Sequence, residues 1–178
     1  TDLIAALGEA GLQALSSVQV KALTSTQLNS LSEANLQAID AADLAALGTA
    51  TVAAISSDKI NSLSTAQVKA LTSAQIRALD SVQLRQLSEE NIQSIDAADI
   101  AAMTTTQLKN LKTNQIQALS SAQIQAIGTA AVSTLGTDLI AALGEAGLQA
   151  LSSVQVKALT STQLNSLSEA NLQAIDAA

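Results

Sequence analysis

The sequence predicts an all-α fold: a solenoid, or superhelix, of very short helices, one for each eight-residue repeat. Three observations carry that expectation. An aliphatic residue returns at every eighth position from Leu7 to Ile175, a helix-capping residue follows nearly every one, and acids and bases are sorted to different parts of the repeat. A fixed short period decides architecture before any local propensity does.

The octad positions can be lettered a to h. Position a holds Leu7, Leu15, Leu23, Leu31, Ile39 and so on, always Leu, Ile or the single Met103. Position f is equally strict, from Ile4 and Leu12 through Val20 and Leu28 to Leu172. Position h is mostly Ala. Position b is nearly always Ser, Thr, Asp or Gly, as at Ser16, Thr24, Ser32, Asp40 and Gly48, the residues that cap a helix N-terminus. Position e, three residues on, is most often Gln, as at Gln19, Gln27, Gln67 and Gln75. Ser or Thr followed at three by Gln is a capping box, in which each side chain satisfies the other residue's backbone N–H. The aliphatics at a and f flank the cap as the halves of a hydrophobic staple.

Charge placement tests that polarity independently, because a helix start favours carboxylates and its last turn favours cations. Asp40, Asp80, Asp96 and Asp176 fall at b, Glu9, Glu33, Glu89, Glu145 and Glu169 at c, and the other acids at d or e. Lys21, Lys69, Arg77, Arg85, Lys109 and Lys157 fall at g, with Lys59 and Lys112 the exceptions.

Other geometries fit less well. In one continuous helix, at ~100° per residue, eight residues overshoot two turns by about 80°, so the a/f stripe would wind round the rod. Coiled coils use periods of seven or eleven. Segments such as "QVKAL" and "NLQAI" are rich in helix formers, against a β-solenoid. A single octad cannot stand alone: its two buried side chains give ~1.5–3 kcal/mol each, against on the order of 1–2 kcal/mol for every backbone fixed. Neighbouring octads are therefore expected to coil together, with a, f and h inside and b to e and g outside, as in other quasi-one-dimensional repeats.

A longer repeat lies over the short one. Residues 137–178 match 1–42 letter for letter, a period of 136 residues or seventeen octads. We expect residues 1–178 to form a single continuous repeat solenoid, with one block at 1–136 and the next beginning at 137. The opening in mid-repeat leads us to expect a longer parent protein.

Composition narrows the chemistry. The chain has no Phe, Trp, Tyr, His, Cys or Pro. At 48% hydrophobic and 13% charged it is too apolar for the disordered class. A net charge of −7 with no basic cluster argues against nucleic acid, and no apolar run reaches the ~20 residues of a membrane span. Without His or Cys the usual triad and thiol mechanisms lack a base or nucleophile. The Ser56/Lys59 pair in "SSDK" reads as a cap and a substituted box residue. The Asp40/Asp43 and Asp96/Asp99 pairs in "DAAD" are the one place where a hard cation such as Ca²⁺ comes into question, and they read more simply as a cap plus an acid at the third helical position. Gly8, Gly48, Gly128, Gly136 and Gly144 all sit at b, where Gly is an acceptable cap. We expect no enzyme activity and no catalytic, cofactor-binding or metal residues.

"ALTSTQLNSL" (22–31), "SLSTAQVKALTSAQIRAL" (62–79) and "ALSSAQIQAI" (118–127) resemble the tandem L-[ST]-x-x-Q-[IVL]-x-A octapeptide tracts of very large, repetitive bacterial surface or secreted proteins often described as adhesin-like. The resemblance covers essentially the whole chain and transfers no site residues. It implies an elongated stalk or spacer, extracellular or at the bacterial cell surface. The alternative is a repeat module that binds protein or glycan or associates with itself. The partners expected are the neighbouring repeat blocks and, through open solenoid ends, other copies.

Overall fold

The computed structural model describes residues 2–176, with side chains from 3 to 175. The acids Asp2 and Asp176 therefore contribute no described side chain. Every regular element among the described residues is an α-helix of four to eight residues, and there is essentially one per octad. The chain divides into two compact units, 1–94 and 95–178.

Each octad repeats one local plan. The residue at b holds an extended backbone, as at Thr72 (φ −77°, ψ 158°), and the helix Ser73–Ala78 follows. The f residue closes the first helical turn, Ile76 N–H donating to Thr72 C=O at 2.9 Å, and Leu79 N–H at the next a donates to Ile76 C=O at 3.2 Å. Leu79 then returns to extended values (φ −65°, ψ 137°). Two extended residues, a and b, thus separate successive helices, and at these links no left-handed residue is needed. Leu31, Ile39, Leu71 and Ile127 end their helices the same way.

In both units each helix lies on the one three octads before it. In the first unit Ser57–Asn61 packs on Ser81–Gln86, and Thr65–Ala70 packs on Glu89–Ser94. In the second, Ala97–Ala102 packs on Ser121–Ala126, and Thr113–Gln117 packs on Thr137–Ala142. Positions a and f line the interior as expected: Leu28, Leu36, Ile60, Ile76, Ile92, Ile100 and Ile140 are all fully buried. At a and f, aliphatics and the single Met103 fill it, in keeping with the lack of aromatics.

The third interior column differs from the expectation. Position h sits mostly at the margin, with Ala38, Ala150 and Ala174 its buried members. Its place is taken by e, where Gln67, Gln75, Gln83, Asn91, Gln123, Gln155 and Gln163 are buried. A polar side chain can lie inside only if its hydrogen bonds are met there, and among the described residues they are.

Two glycines also differ. Gly48, Gly128 and Gly136 are N-caps in extended conformation, as read from the sequence. Gly8 and Gly144 are not caps. They carry φ of +63° and +62°, a left-handed backbone that only Gly adopts without strain. Leu7 and Leu143 precede them with helical φ and ψ, so the chain pivots at one residue where other octads use two extended ones.

Candidate functional site

The most elaborate polar arrangement in the molecule is built on the Gln at e. Its amide oxygen folds back on its own helix start: Thr72 N–H donates to Gln75 Oε1 at 2.8 Å, and the Thr72 hydroxyl donates to the same oxygen at 3.0 Å. The hydroxyl oxygen in turn accepts from Gln75 N–H at 3.3 Å. The same reciprocal box recurs at Thr24/Gln27, Ser64/Gln67, Thr104/Gln107, Ser120/Gln123, Ser152/Gln155 and Thr160/Gln163. At Asp80/Gln83 a carboxylate oxygen does the accepting, at 2.8 Å.

The other end of the amide reaches a different turn. Gln67 Nε2 donates to the carbonyls of Leu36 and Ile39, both at 2.8 Å. Gln75 Nε2 donates to Ala45 and Leu47, and Gln83 Nε2 to Ala53 and Ile55. In the second unit Gln155 Nε2 joins Ile124 and Ile127, and Gln163 Nε2 joins Val132 and Leu135. The a carbonyl reached is always 28 residues back. The last carbonyls of a helix have no partner within it. One buried amide therefore completes the N-terminus of its own helix and the C-terminus of the helix four octads before it, the one that precedes the helix on which its own helix packs.

Where e is not Gln, other groups fill in. Asn91 Nδ2 donates to Leu63 C=O at 3.0 Å. Lys59 sends its ammonium to Leu31 C=O, again 28 residues back. An ammonium cannot accept, so Ser56 N–H is left without its box and instead donates to Asn29 Oδ1, from the previous turn, at 2.8 Å. Asn29 Nδ2 and Gln37 Nε2, both at g, donate forward to Ala54 and Ser62 carbonyls. No buried side-chain nitrogen or oxygen among the described residues lacks a hydrogen-bond partner.

The residues singled out from the sequence fall into this scheme. Ser56 is an exposed N-cap, and Lys59 is engaged by Leu31 C=O. Asp40 caps its helix through Oδ1, accepting Ala42 N–H at 2.9 Å, and Asp43 is half-buried in the first turn. Asp96 is the extended N-cap of Ala97–Ala102, and Asp99 is buried. Among the described residues no three acidic side chains gather as a metal-binding group, and no helix is long and apolar enough to cross a membrane. A cavity of about 390 Å³ in the first unit carries one carboxylate, Asp40, and a hydroxyl, Ser64, that accepts Gln67 N–H. Glu90, exposed at the start of Glu89–Ser94, has its carboxyl held below the usual range by a hydrogen bond from its own backbone N–H and another from the Ser88 hydroxyl.

Sequence reasoning reached the box and missed the bond between turns. Polarity at e pointed outward, and the only signal to the contrary was that Gln, rather than the equally good box residue Glu, dominates there.

No curated protein matches the chain. The ALTTAQ repeat matches residues 36–73, 92–129 and 113–145, together just over half of it. Those stretches hold the Ser64/Gln67, Thr104/Gln107 and Ser120/Gln123 boxes and the Gln67 and Gln123 amides that join turns. The chain belongs to the ALTTAQ repeat family.

Proposed function

We propose that this chain is a structural spacer: an elongated stalk segment of a large bacterial surface or secreted adhesin-like protein, set outside the cell, that holds a functional end at a distance. One observation supports the reading above others. The repeated polar side chains face inward or along the chain and are occupied in joining one turn to the next, as at Gln67, Gln75 and Gln155. Such a segment needs no catalytic residues and takes neighbouring repeat blocks as its partners. Stability in repeats of this kind grows by nearest-neighbour contacts, so length can be added in whole octads.

Small-angle scattering on this chain and on one longer by a 136-residue block tests it. A spacer gains maximum dimension in proportion to added octads at constant cross-section. A longer chain that becomes a wider globule or a flexible coil contradicts the reading.

A further inference from the structure

The e amides form a ladder along the chain, and within the second unit that ladder is interrupted over three consecutive octads. At Ala131, Leu139 and Gly147 position e carries no polar side chain. The a carbonyls 28 residues back are those of Met103, Leu111 and Leu119, and among the described residues none of the three accepts a hydrogen bond. Each helix lies on the one three octads before it, so three octads make one circuit. Among the described residues no side-chain hydrogen bond joins the circuit 128–151 to the circuit 104–127 before it. The ladder is intact on both sides: Gln123 joins Ile95, Gln155 joins Ile127 and Gln163 joins Leu135.

The first unit shows that a missing glutamine need not leave a gap. There e is Asp43, Thr51 and Lys59 in three successive octads, and other groups cross. Lys59 reaches Leu31 C=O, Ser56 N–H donates to Asn29 Oδ1, and Gln37 Nε2 donates to Ser62 C=O. Across 128–151 apolar packing is left to hold the circuit, and it is incomplete. A cavity of about 100 Å³ lies at the junction, with Leu119, Ile124, Leu143 and Gly147 in its wall. Leu3 and Gly11 are the counterparts of Leu139 and Gly147, so two of the three apolar e residues recur with the 136-residue block.

In a repeat structure stability is a sum over units and the contacts between neighbours, and the parts with the fewest such contacts open first. We propose that the junction before residue 128 is a built-in yield point, the place where the fold parts first when it is heated or put under tension. The chain from 128 onward lets go there as one piece while the octads before it stay folded. The inference follows from the hydrogen bonds and the cavity and stands apart from the spacer reading.

Backbone hydrogen exchange followed by NMR tests it on the amides that close each helix: Ile116 and Ile124 before the junction, Val132, Ile140 and Val156 after it. Val132, Ile140 and Val156 should exchange at one common rate, about tenfold faster than Ile116 and Ile124. Gly128→Ser with Ala131→Gln then rebuilds a box and a rung toward Met103 C=O. Gly128 already has the extended backbone of the other caps, and a Cβ there meets nothing within 4 Å. In that variant Val132 should exchange about two- to tenfold more slowly than in the parent, with Ile76 and Ile92 unchanged. Gly144→Ser with Gly147→Gln makes the same repair two octads on, should the first pair fail to fold. A rate that climbs evenly toward residue 175, a Val132 as protected as Ile124, or a step that a folded repair variant leaves unmoved overturns the proposal.

Discussion

Octads built on Gln75 and octads built on Gly147 turn the same corner by different means. In the first, two extended residues link the helices, and a buried amide at e ties the helix to the turn beneath. In the second, Gly144 pivots at φ +62° and e is reduced to a hydrogen. A side chain there would meet Leu143 Cβ at 3.0 Å and Ile124 Cδ1 at 3.3 Å. The same pair, Gly8 and Gly11, recurs at the start of the first block, where a Cβ on Gly11 would meet Leu7 Cβ at 2.8 Å. Position e is therefore the contact point between turns in both kinds of octad, filled by a bonding amide in one and by the preceding leucine in the other.

The largest effect should come from Gln75→Glu. Glu keeps the box, because a carboxylate still accepts Thr72 N–H, but it points a buried charge at the Ala45 and Leu47 carbonyls. Denaturant unfolding should show a loss of about 3–5 kcal/mol. Burial raises the new carboxyl's pKa in the folded state, so the loss should ease as pH falls and the group is neutralised. Gln27→Glu, where the amide makes its box and holds no carbonyl of another turn, should be neutral within about 0.5 kcal/mol. Equal costs at the two sites would remove the distinction between box and rung.

Next in size is an attempt to convert one kind of octad into the other. Gly147→Gln alone overpacks against Leu143 and should cost about 1–3 kcal/mol, and Gly144→Ser alone forces a side chain to positive φ at about 1–2 kcal/mol. Together they restore a Ser-x-x-Gln box and permit the extended link. The double variant should therefore cost less than the sum, and a double-mutant cycle that is additive would show the two glycines to be unrelated.

Thr72→Ala should cost about 1 kcal/mol, the ordinary value of a cap, since Gln75 keeps its rung. The smallest effect concerns Glu90. Its folded-state pKa is lowered, so the stability it adds is present above the ordinary glutamate range and is lost as pH falls through the folded value. Ser88→Ala should flatten that part of the stability profile measured by thermal melts across acid pH.

Much of this was legible in the sequence. The octad period, the caps at b and the Gln three residues later specify where each helix starts, and Thr24, Ser64 and Ser120 do what their letters imply. The interior role of e was not legible. A capping box is local and accounts for only one end of the Gln amide; the other end finds a partner only once the number of octads per turn is known, and no single octad encodes that number. The pivots were hidden for a related reason: Gly at b reads as a cap at Gly48 and at Gly144 alike, and only the second Gly, at Gly147, marks the difference.

The central claim is that the e amides join turns, and side-chain amide hydrogen exchange followed by NMR tests it most directly. Gln67, Gln75, Gln155 and Gln163 Nε2 protons should exchange far more slowly than those of Gln19 and Gln27, which make the boxes but hold no carbonyl of another turn. If all six exchange at the rate of a free glutamine side chain, the turns are not held together by these amides.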